Sequence, residues 1–415
     1  MSTNPPAANQ DALGIAIIGL GGAVATTAVA GSILMRKGLQ RPVGLPLAEY
    51  DHLDLAGYKN LYFTGWDLYQ DDLYKAAEHH RVLDREQLAA VKEEMSAMFP
   101  LEAIRKQSYC EGVVNGDDST ESHRDLIATI QQQIKDFGRE IGGNVVVINL
   151  ASTESALDLS DEKYQSIEAF EAALDSDNDC VSPAMLYAYA CITSGTPYGN
   201  FTPSVAADVP ALRMLAAERN VPVAGKDGKT GQTYVKTVIA PALRARALEV
   251  DGWFSTNILG NRDGEALRKP KSLLNKINTK GDVLTSCLGY PVEDHVVKIN
   301  YYKPRGDNKE AWDNIDVTGF LGHQMQIKIN FLCKDSILAA PLALEIARCL
   351  DLAHRKGQGG VAESLGVFFK APMTPDGGEP NHNFTEQQIE LLRWLKELNG
   401  LKDAKAKAEV AQATA

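Results

Sequence analysis

Lysine and aspartate recur between Ala224 and Lys309, set in glycine-rich turns among strand-like runs. Asp227, Lys229 and Lys236 lie in AGKDGKTGQTYVK, Asn261 and Asp263 in LGNRDG, Lys276 and Lys280 in NKINTK, and Asp307 and Lys309 in PRGDNK. A lysine is costly to bury, and a buried one usually has a partner or a task. Grouped ammonium ions can neutralise an anionic substrate locally, even on a chain whose net charge is −12. They can also stabilise an oxyanion as it develops, and a lysine with a lowered pKa can move protons. The plain alternative for any one of them is a solvated lysine paired with a nearby acid.

A second chemical feature lies near the N-terminus. Gly14 to Ile18 (GIAII) reads as a buried strand that runs into GLGGAVATT and a helix from about Ala23 to Leu34. Gly19, Gly21 and Gly22 therefore follow a strand and open a helix. In that context backbone N–H groups can approach a pyrophosphate at the helix N-terminus. The third glycine of G-x-G-x-x-G is missing, so a tight turn without ligand is the competing reading. No acid stands about 20 residues beyond the loop, where a ribose partner is usual. Asp67, after a second strand candidate at Leu61–Thr64, is the nearest substitute; N-capping of the next helix is its other role.

The elements that must position these residues alternate. Helical pattern covers 84–98 and 118–141, Val145–Leu150 (VVVINL) reads as a parallel-type strand, and VPVAG ends on the turn at Lys226–Thr230. This β-α alternation predicts an α/β fold with a Rossmann-type doubly wound parallel sheet. From 234 to 338 the pattern changes to period two, in strand candidates at Gly252–Leu259, His295–Tyr302 and Met325–Leu332. That predicts an inserted α+β domain with one buried sheet face and antiparallel pairing. The expected organisation is a tail at 1–13, a discontinuous domain at 14–233 and 339–400, the insertion at 234–338, and a C-terminal tail at 401–415.

Several classes are disfavoured. The acidic balance argues against a general nucleic-acid binder. Six scattered cysteines, without CxxC or metal-ligand spacing, read as reduced, buried thiols of a cytoplasmic protein. The uncharged run from Gly14 to Met35 lacks a basic leader and is rich in Gly and Thr, which disfavours both a membrane span and a signal peptide. His79 and His80, adjacent on a helix, point to different sides and make no metal site; His295 and His323 read as structural.

The clustered motifs resemble the signature of the myo-inositol-1-phosphate synthase family. AGKDGKTGQTYVK is similar to G-x-D-x-K-S-G-Q-T-K-x-K, LGNRDG to L-G-N-N-D-G, and KPKSLLNKINTK to a segment ending S-K-E-I-S-K. PRGDNK is similar to V-G-D-S-K, FLCKDSILAAP to C-E-D-S-L-L-A-A-P, and FFKAPMTP to a late L-K-A-P segment. GWDLYQDDLYKAA resembles GWD-x-x-x-x-x-LYEA, and INLASTES an A-N-T-E turn. The resemblance spans about residues 14–375. It implies cyclisation of glucose 6-phosphate with NAD that is regenerated: oxidation at C5, deprotonation at C6, aldol closure onto C1, then reduction. It also implies a homotetramer, without membrane or nucleic-acid partners.

Carried over by position, the resemblance assigns Lys276, Lys309 and Lys370 to proton transfer and oxyanion stabilisation. Lys280 falls to the phosphate or the enolate, and Asp227 and Asp335 to orienting lysines. Gly19, Gly21, Gly22, Ala23, Thr26, Asp67, Ala151, Ser152, Asp227, Asn261, Asp263 and Asp307 are expected along NAD. Lys229, Asn200 and Thr202 join the four lysines around the sugar phosphate. No metal site is expected, although a phosphate and a few acids could jointly hold a monovalent or divalent cation. The chain departs from the family where Ala23 and Val24 replace a polar pair, Ser152 replaces Asn, and Tyr234 replaces a lysine; YGNFTPS is shorter than Y-I-N-G-S-P-Q with its continuation. A synthase acting on another sugar phosphate, a dehydrogenase releasing NADH, and a non-catalytic NAD-binding protein therefore stay open.

Overall fold

The fold is built on two sheets. The computed structural model describes residues 12–110, 116–260 and 283–401; Asn261, Asp263, Lys276 and Lys280 lie outside them. The larger sheet contains β1 (Leu13–Ile18), β2 (Leu61–Asp67), β3 (Leu101–Glu102), β4 (Asn144–Asn149), β5 (Tyr198–Asn200), β6 (Pro222–Gly225) and β11 (Gly360–Val361). Its order is β11-β6-β5-β4-β1-β2-β3, and every pairing is parallel. This is the doubly wound arrangement expected from the β-α alternation. The order reverses between β1 and β4, which opens a crevice at their C-terminal ends.

Side chains alternate across that sheet and build two cores. Leu13, Ile15, Ile17, Val146 and Ile148 pack with Ala28, Val29 and Ile33 of the helix Ala23–Arg36 and with Ala347 and Leu350 of the helix Asp335–Arg355. On the opposite face, Ala16, Ile18, Val147, Tyr198 and Val223 meet Ile127, Ile130, Met185 and Leu186 from the helices His123–Ile141 and Pro183–Ser194. Truncating a central residue such as Ile148 to Ala costs about 2–5 kcal/mol. The uncharged Gly14–Met35 run is thus divided among strand, turn and helix. No helix among the described residues is long and apolar enough to cross a membrane.

The smaller sheet comprises β7 (Glu249–Leu259), β8 (Asp294–Tyr301), β9 (Asn308–Thr318) and β10 (Gln324–Lys334), in the order β10-β9-β7-β8. β10, β9 and β7 pair antiparallel, but β7 and β8 run parallel, which corrects the expectation of wholly antiparallel pairing. A parallel pair needs a crossover of a dozen or more residues, and the chain between Leu259 and Asp294 is long enough to supply it. β9 escaped the sequence reading because its inward positions run Ala311, Asp313, Ile315, Val317, with a carboxylate among apolar residues. Asp313 is satisfied there by Trp253 Nε1 and Ser255 Oγ, each at 2.7 Å, and by Gln232 Nε2 at 3.1 Å.

Two helices carry the chain between the sheets. Gly231–Ala245 leads away from β6 to β7, and Asp335–Arg355 returns directly from β10. Their N-termini meet, for the Thr230 hydroxyl donates to Asp335 Oδ1 at 2.9 Å.

Candidate active site

The glycine turn sits at the crevice. Gly19 has φ +86°, a conformation glycine adopts without strain, and a Cβ on it would lie 3.0 Å from the Ala151 backbone. The loop after β4 therefore closes directly on the turn after β1. Gly19 and Leu20 N–H groups donate to the Trp66 carbonyl at 2.8 and 3.0 Å. The Gly21 N–H donates to Asp67 Oδ2 at 2.8 Å, and the Tyr69 N–H donates to Oδ1 at 2.9 Å. Burial pushes the Asp67 carboxyl above its usual pKa, with these backbone bonds opposing the rise. Asp67 does not cap the next helix; Asp72 does, accepting from the Lys75 N–H at 2.9 Å.

Gly22 is the N-cap of the helix Ala23–Arg36 and provides no side-chain cap. Thr26 and Thr27 turn their hydroxyls back onto the Gly22 and Ala23 carbonyls, at 2.9 and 2.7 Å. The helix thus presents bare N–H groups over a surface without side chains at Gly21 and Gly22. A Cβ on Gly21 would stand 3.2 Å from the Asp67 carboxylate, so a side chain there would crowd that group. The carboxylate keeps acceptor capacity for a hydroxyl beyond its backbone donors Gly21, Leu68 and Tyr69. These residues fit a bound dinucleotide. Ser152 is exposed beside Ala151, and His80 Nε2 lies 2.8 Å from the Gly21 carbonyl, a contact the sequence did not suggest.

The lysine cluster lies where the chain leaves β6. Asn200, at the end of β5, donates to the Ser204 carbonyl at 2.7 Å and accepts from the Thr202 hydroxyl at 3.1 Å. The Thr202 carbonyl in turn accepts from the Asp227 N–H at 3.0 Å. Asp227, at φ +58°, accepts from Lys370 Nζ at 2.7 Å through Oδ1. Lys309 Nζ stands 3.3 Å from both oxygens of Asp335. Asp307 is engaged at the start of the Asp335 helix, its Oδ1 accepting from Ser336 Oγ at 2.8 Å; burial, and then the neighbouring Asp335, push its carboxyl upward.

The Lys309–Asp335 pair adjoins the start of the helix Gly231–Ala245, and Asp227 lies in the turn that leads into it. Its N-cap, Thr230, gives its hydroxyl to Asp335 and leaves the first turn without a side-chain cap or an acidic residue. The Lys309 Cε lies 3.9 Å from where a Cβ on Gly231 would be. Uncapped N–H groups, a helix dipole and an adjacent ammonium are features that suit an anion. Lys229 is turned elsewhere: its Nζ donates to Gln387 Oε1 at 2.6 Å, and burial pushes its ammonium down to about 7. Lys236 also lies deep, 2.7 Å from His295 Nε2 beneath the smaller sheet, its ammonium pushed down to about 8.

The sequence model of the family described as myo-inositol-1-phosphate synthase, an NAD-binding family, matches residues 47–396. The chain belongs to the myo-inositol-1-phosphate synthase family. An inositol-3-phosphate synthase 1 of Bacteroides thetaiotaomicron is 40% identical over 417 residues, covering 94% of this chain and 96% of that protein. The Saccharomyces cerevisiae inositol-3-phosphate synthase is 28% identical, covering 94% of this chain and 86% of its own. The fold matches the crystal structure of a Caenorhabditis elegans inositol-3-phosphate synthase with a TM-score of 0.87 at 24% identity, over 96% of this chain and 88% of that one.

For a synthase-family chain the structure divides the candidate residues into groups. Gly19, Gly21, Gly22, Ala23, Thr26, Asp67, Ala151 and Ser152 gather at the crevice. Asn200, Thr202, Asp227, Lys309, Asp335 and Lys370 gather around the start of the Gly231 helix, while Lys229 is buried behind it. All six cysteines are free thiols; Cys191, Cys287 and Cys349 are buried, whereas Cys110, Cys180 and Cys333 are half-buried rather than buried as expected. The sequence reading missed Thr230 and Gly231, because a threonine before a helix normally signals a filled cap and the Asp335 that draws its hydroxyl away lies 105 positions on. It also missed Gln387, for which no local pattern points to a lysine 158 positions earlier.

Proposed function

We propose that this chain converts glucose 6-phosphate to 1D-myo-inositol 3-phosphate with NAD regenerated in each turnover. The observation carrying the reading is a bare helix N-terminus at Gly231 with the Lys309–Asp335 pair against it and the Lys370–Asp227 pair in the turn that leads into it. Gly19, Gly21 and Gly22 would hold the NAD pyrophosphate and Asp67 a ribose; when bound, NAD supplies reversible oxidation at C5 of the sugar. The substrate phosphate is held by the N–H groups opening the Gly231 helix and by Lys309. Lys370, oriented by Asp227, takes the proton from C6; the resulting ammonium stabilises the enolate and, once C6 has closed onto C1, gives that proton to the alkoxide formed at C1. Because oxidation and reduction cancel, the reaction is a net isomerisation.

Lys276, Lys280, Asn261 and Asp263 complete this reading through the motif resemblance alone. The same reading has the protein working in the cytoplasm as a homotetramer, and the exposed Phe254, Trp312 and Leu332 on the outer face of the smaller sheet support assembly. An activating cation would be shared between the substrate phosphate and nearby acids. One observation favours a second substrate. Tyr234, where the motif it resembles has lysine, packs edge-on against Phe384 at 5.1 Å and supplies no charge to the phosphate. Comparing glucose 6-phosphate with other hexose phosphates, with monovalent and divalent cations varied, tests both readings. Turnover of another hexose phosphate alone selects the second.

A further inference from the structure

The helix Phe384–Leu398 lies beyond the segments that carry the motif resemblance, yet it reaches the substrate turn. Lys229, only 3% exposed, donates to Gln387 Oε1 at 2.6 Å and lies 5.9 Å from the Phe384 ring centroid. The Gln387 amide cannot turn away, because its Nε2 donates to the Asn381 carbonyl at 2.6 Å. Its oxygen is therefore held toward the lysine. One residue on from Lys229 is Thr230, the N-cap that leaves the helix turn open. The backbone on the other side is zipped to 368–371: the Lys229 N–H donates to Phe368 at 2.7 Å, and Gly228 bridges Phe369. Main chain and side chain of Lys229 are thus held by different segments.

We propose that Gln387 is a positioning residue: by gripping Lys229 it fixes the 227–231 turn so that the Gly231 helix presents its N–H groups to the substrate phosphate. The inference rests on the proposed function for the identity of the phosphate ester. Lys229 is buried enough for its charge to be labile at neutral pH. The titratable groups beside it are Cys287, which acts on it electrostatically, and Glu386, which acts on Cys287 in turn. An acceptor at Gln387 favours the charged ammonium.

The test compares Gln387→Leu and Gln387→Glu in the full-length, NAD-loaded protein. Loss of one buried hydrogen bond to an ammonium predicts a KM for glucose 6-phosphate raised about tenfold in Gln387→Leu, with NAD affinity within about twofold of wild type. Gln387→Glu keeps the acceptor, so its KM stays near wild type and the alkaline limb of kcat/KM moves to higher pH. An unchanged KM in Gln387→Leu overturns the inference, as does an equal rise in both variants or a loss confined to Tm. Should Gln387→Leu fail to fold, the KM and alkaline limb of Gln387→Glu decide. Wild-type turnover tests the functional reading by itself. If wild type makes no inositol phosphate, the same ratios are read from calorimetric binding of glucose 6-phosphate.

Discussion

Lys370 and Asp227 are joined twice. The Lys370 backbone N–H donates to the Asp227 carbonyl at 2.6 Å, while its ammonium donates to Asp227 Oδ1 at 2.7 Å. The main-chain bond fixes where the lysine starts, and the carboxylate fixes where it ends. Asp227→Asn therefore preserves the main-chain bond while removing the charge that orients the ammonium. We expect product formation to fall by about 10²–10⁴, the range for losing a positioned acid or base, with NAD binding retained. Single-turnover assays beside fluorescence titration with NAD would read this; unchanged product formation with a lowered Tm would argue that the pair only holds the fold.

The Lys309–Asp335 pair is open to a different test, because Asp335 also accepts from the Thr230 hydroxyl. Asp335→Ala removes the partner of a half-buried ammonium and a tie on the helix N-cap together. Thr230→Val removes only the tie. The expectation is that Thr230→Val raises KM for the sugar phosphate by about tenfold, one hydrogen bond's worth, and that Asp335→Ala lowers kcat as well. A double-mutant cycle in which the two effects simply add would show that the contacts are independent.

Cofactor binding should depend on the Gly21–Asp67 contact in both directions. Asp67→Ala leaves the Gly21 N–H without its partner, and Gly21→Ala pushes a methyl toward the Asp67 carboxylate. Each should weaken NAD by about tenfold or more while leaving the Tm of the NAD-free protein within a few degrees. Isothermal titration with NAD checks this, and unchanged affinity in both variants would place the dinucleotide elsewhere.

Stability should vary with pH through two groups of opposite sign, the carboxyl of half-buried Glu154 and the ammonium of buried Lys229. Burial pushes Glu154 up to about 7 from 4.5. Between those values unfolding releases a proton, so its contribution falls as pH rises. Burial pushes Lys229 down to about 7 from 10.5. Above pH 7 unfolding takes up a proton, so its contribution rises with pH, until buried thiols such as Cys191 and Cys349 oppose it near about 8.5. Subtracting wild-type from variant Tm cancels the other groups. Glu154→Gln should gain on wild type from pH 5 to 7, and Lys229→Met should lose its relative advantage from pH 7 to 8.5. Flat difference curves would contradict the burial of either group.

The crevice was largely legible because its signals are local. GIAII, the glycine turn and the following helix lie within residues 13–36, and the structure follows them in that order. The lysine site was legible as a set of residues but not as pairs. Asp227 meets a lysine 143 positions away, Thr230 meets an aspartate 105 away, and nothing in the intervening sequence encodes either partner. β9 was hidden for the reverse reason: its inward Asp313 breaks the apolar alternation, and only Trp253, Ser255 and Gln232, brought in from two other elements, make that carboxylate tolerable.

The most direct test is to incubate the purified protein with NAD and glucose 6-phosphate and to quantify inositol phosphate and NADH in the same sample. The account predicts inositol phosphate accumulating over many turnovers with no net NADH. NADH formed in step with sugar oxidation, or no product from a protein shown to bind NAD with cations varied, would contradict it.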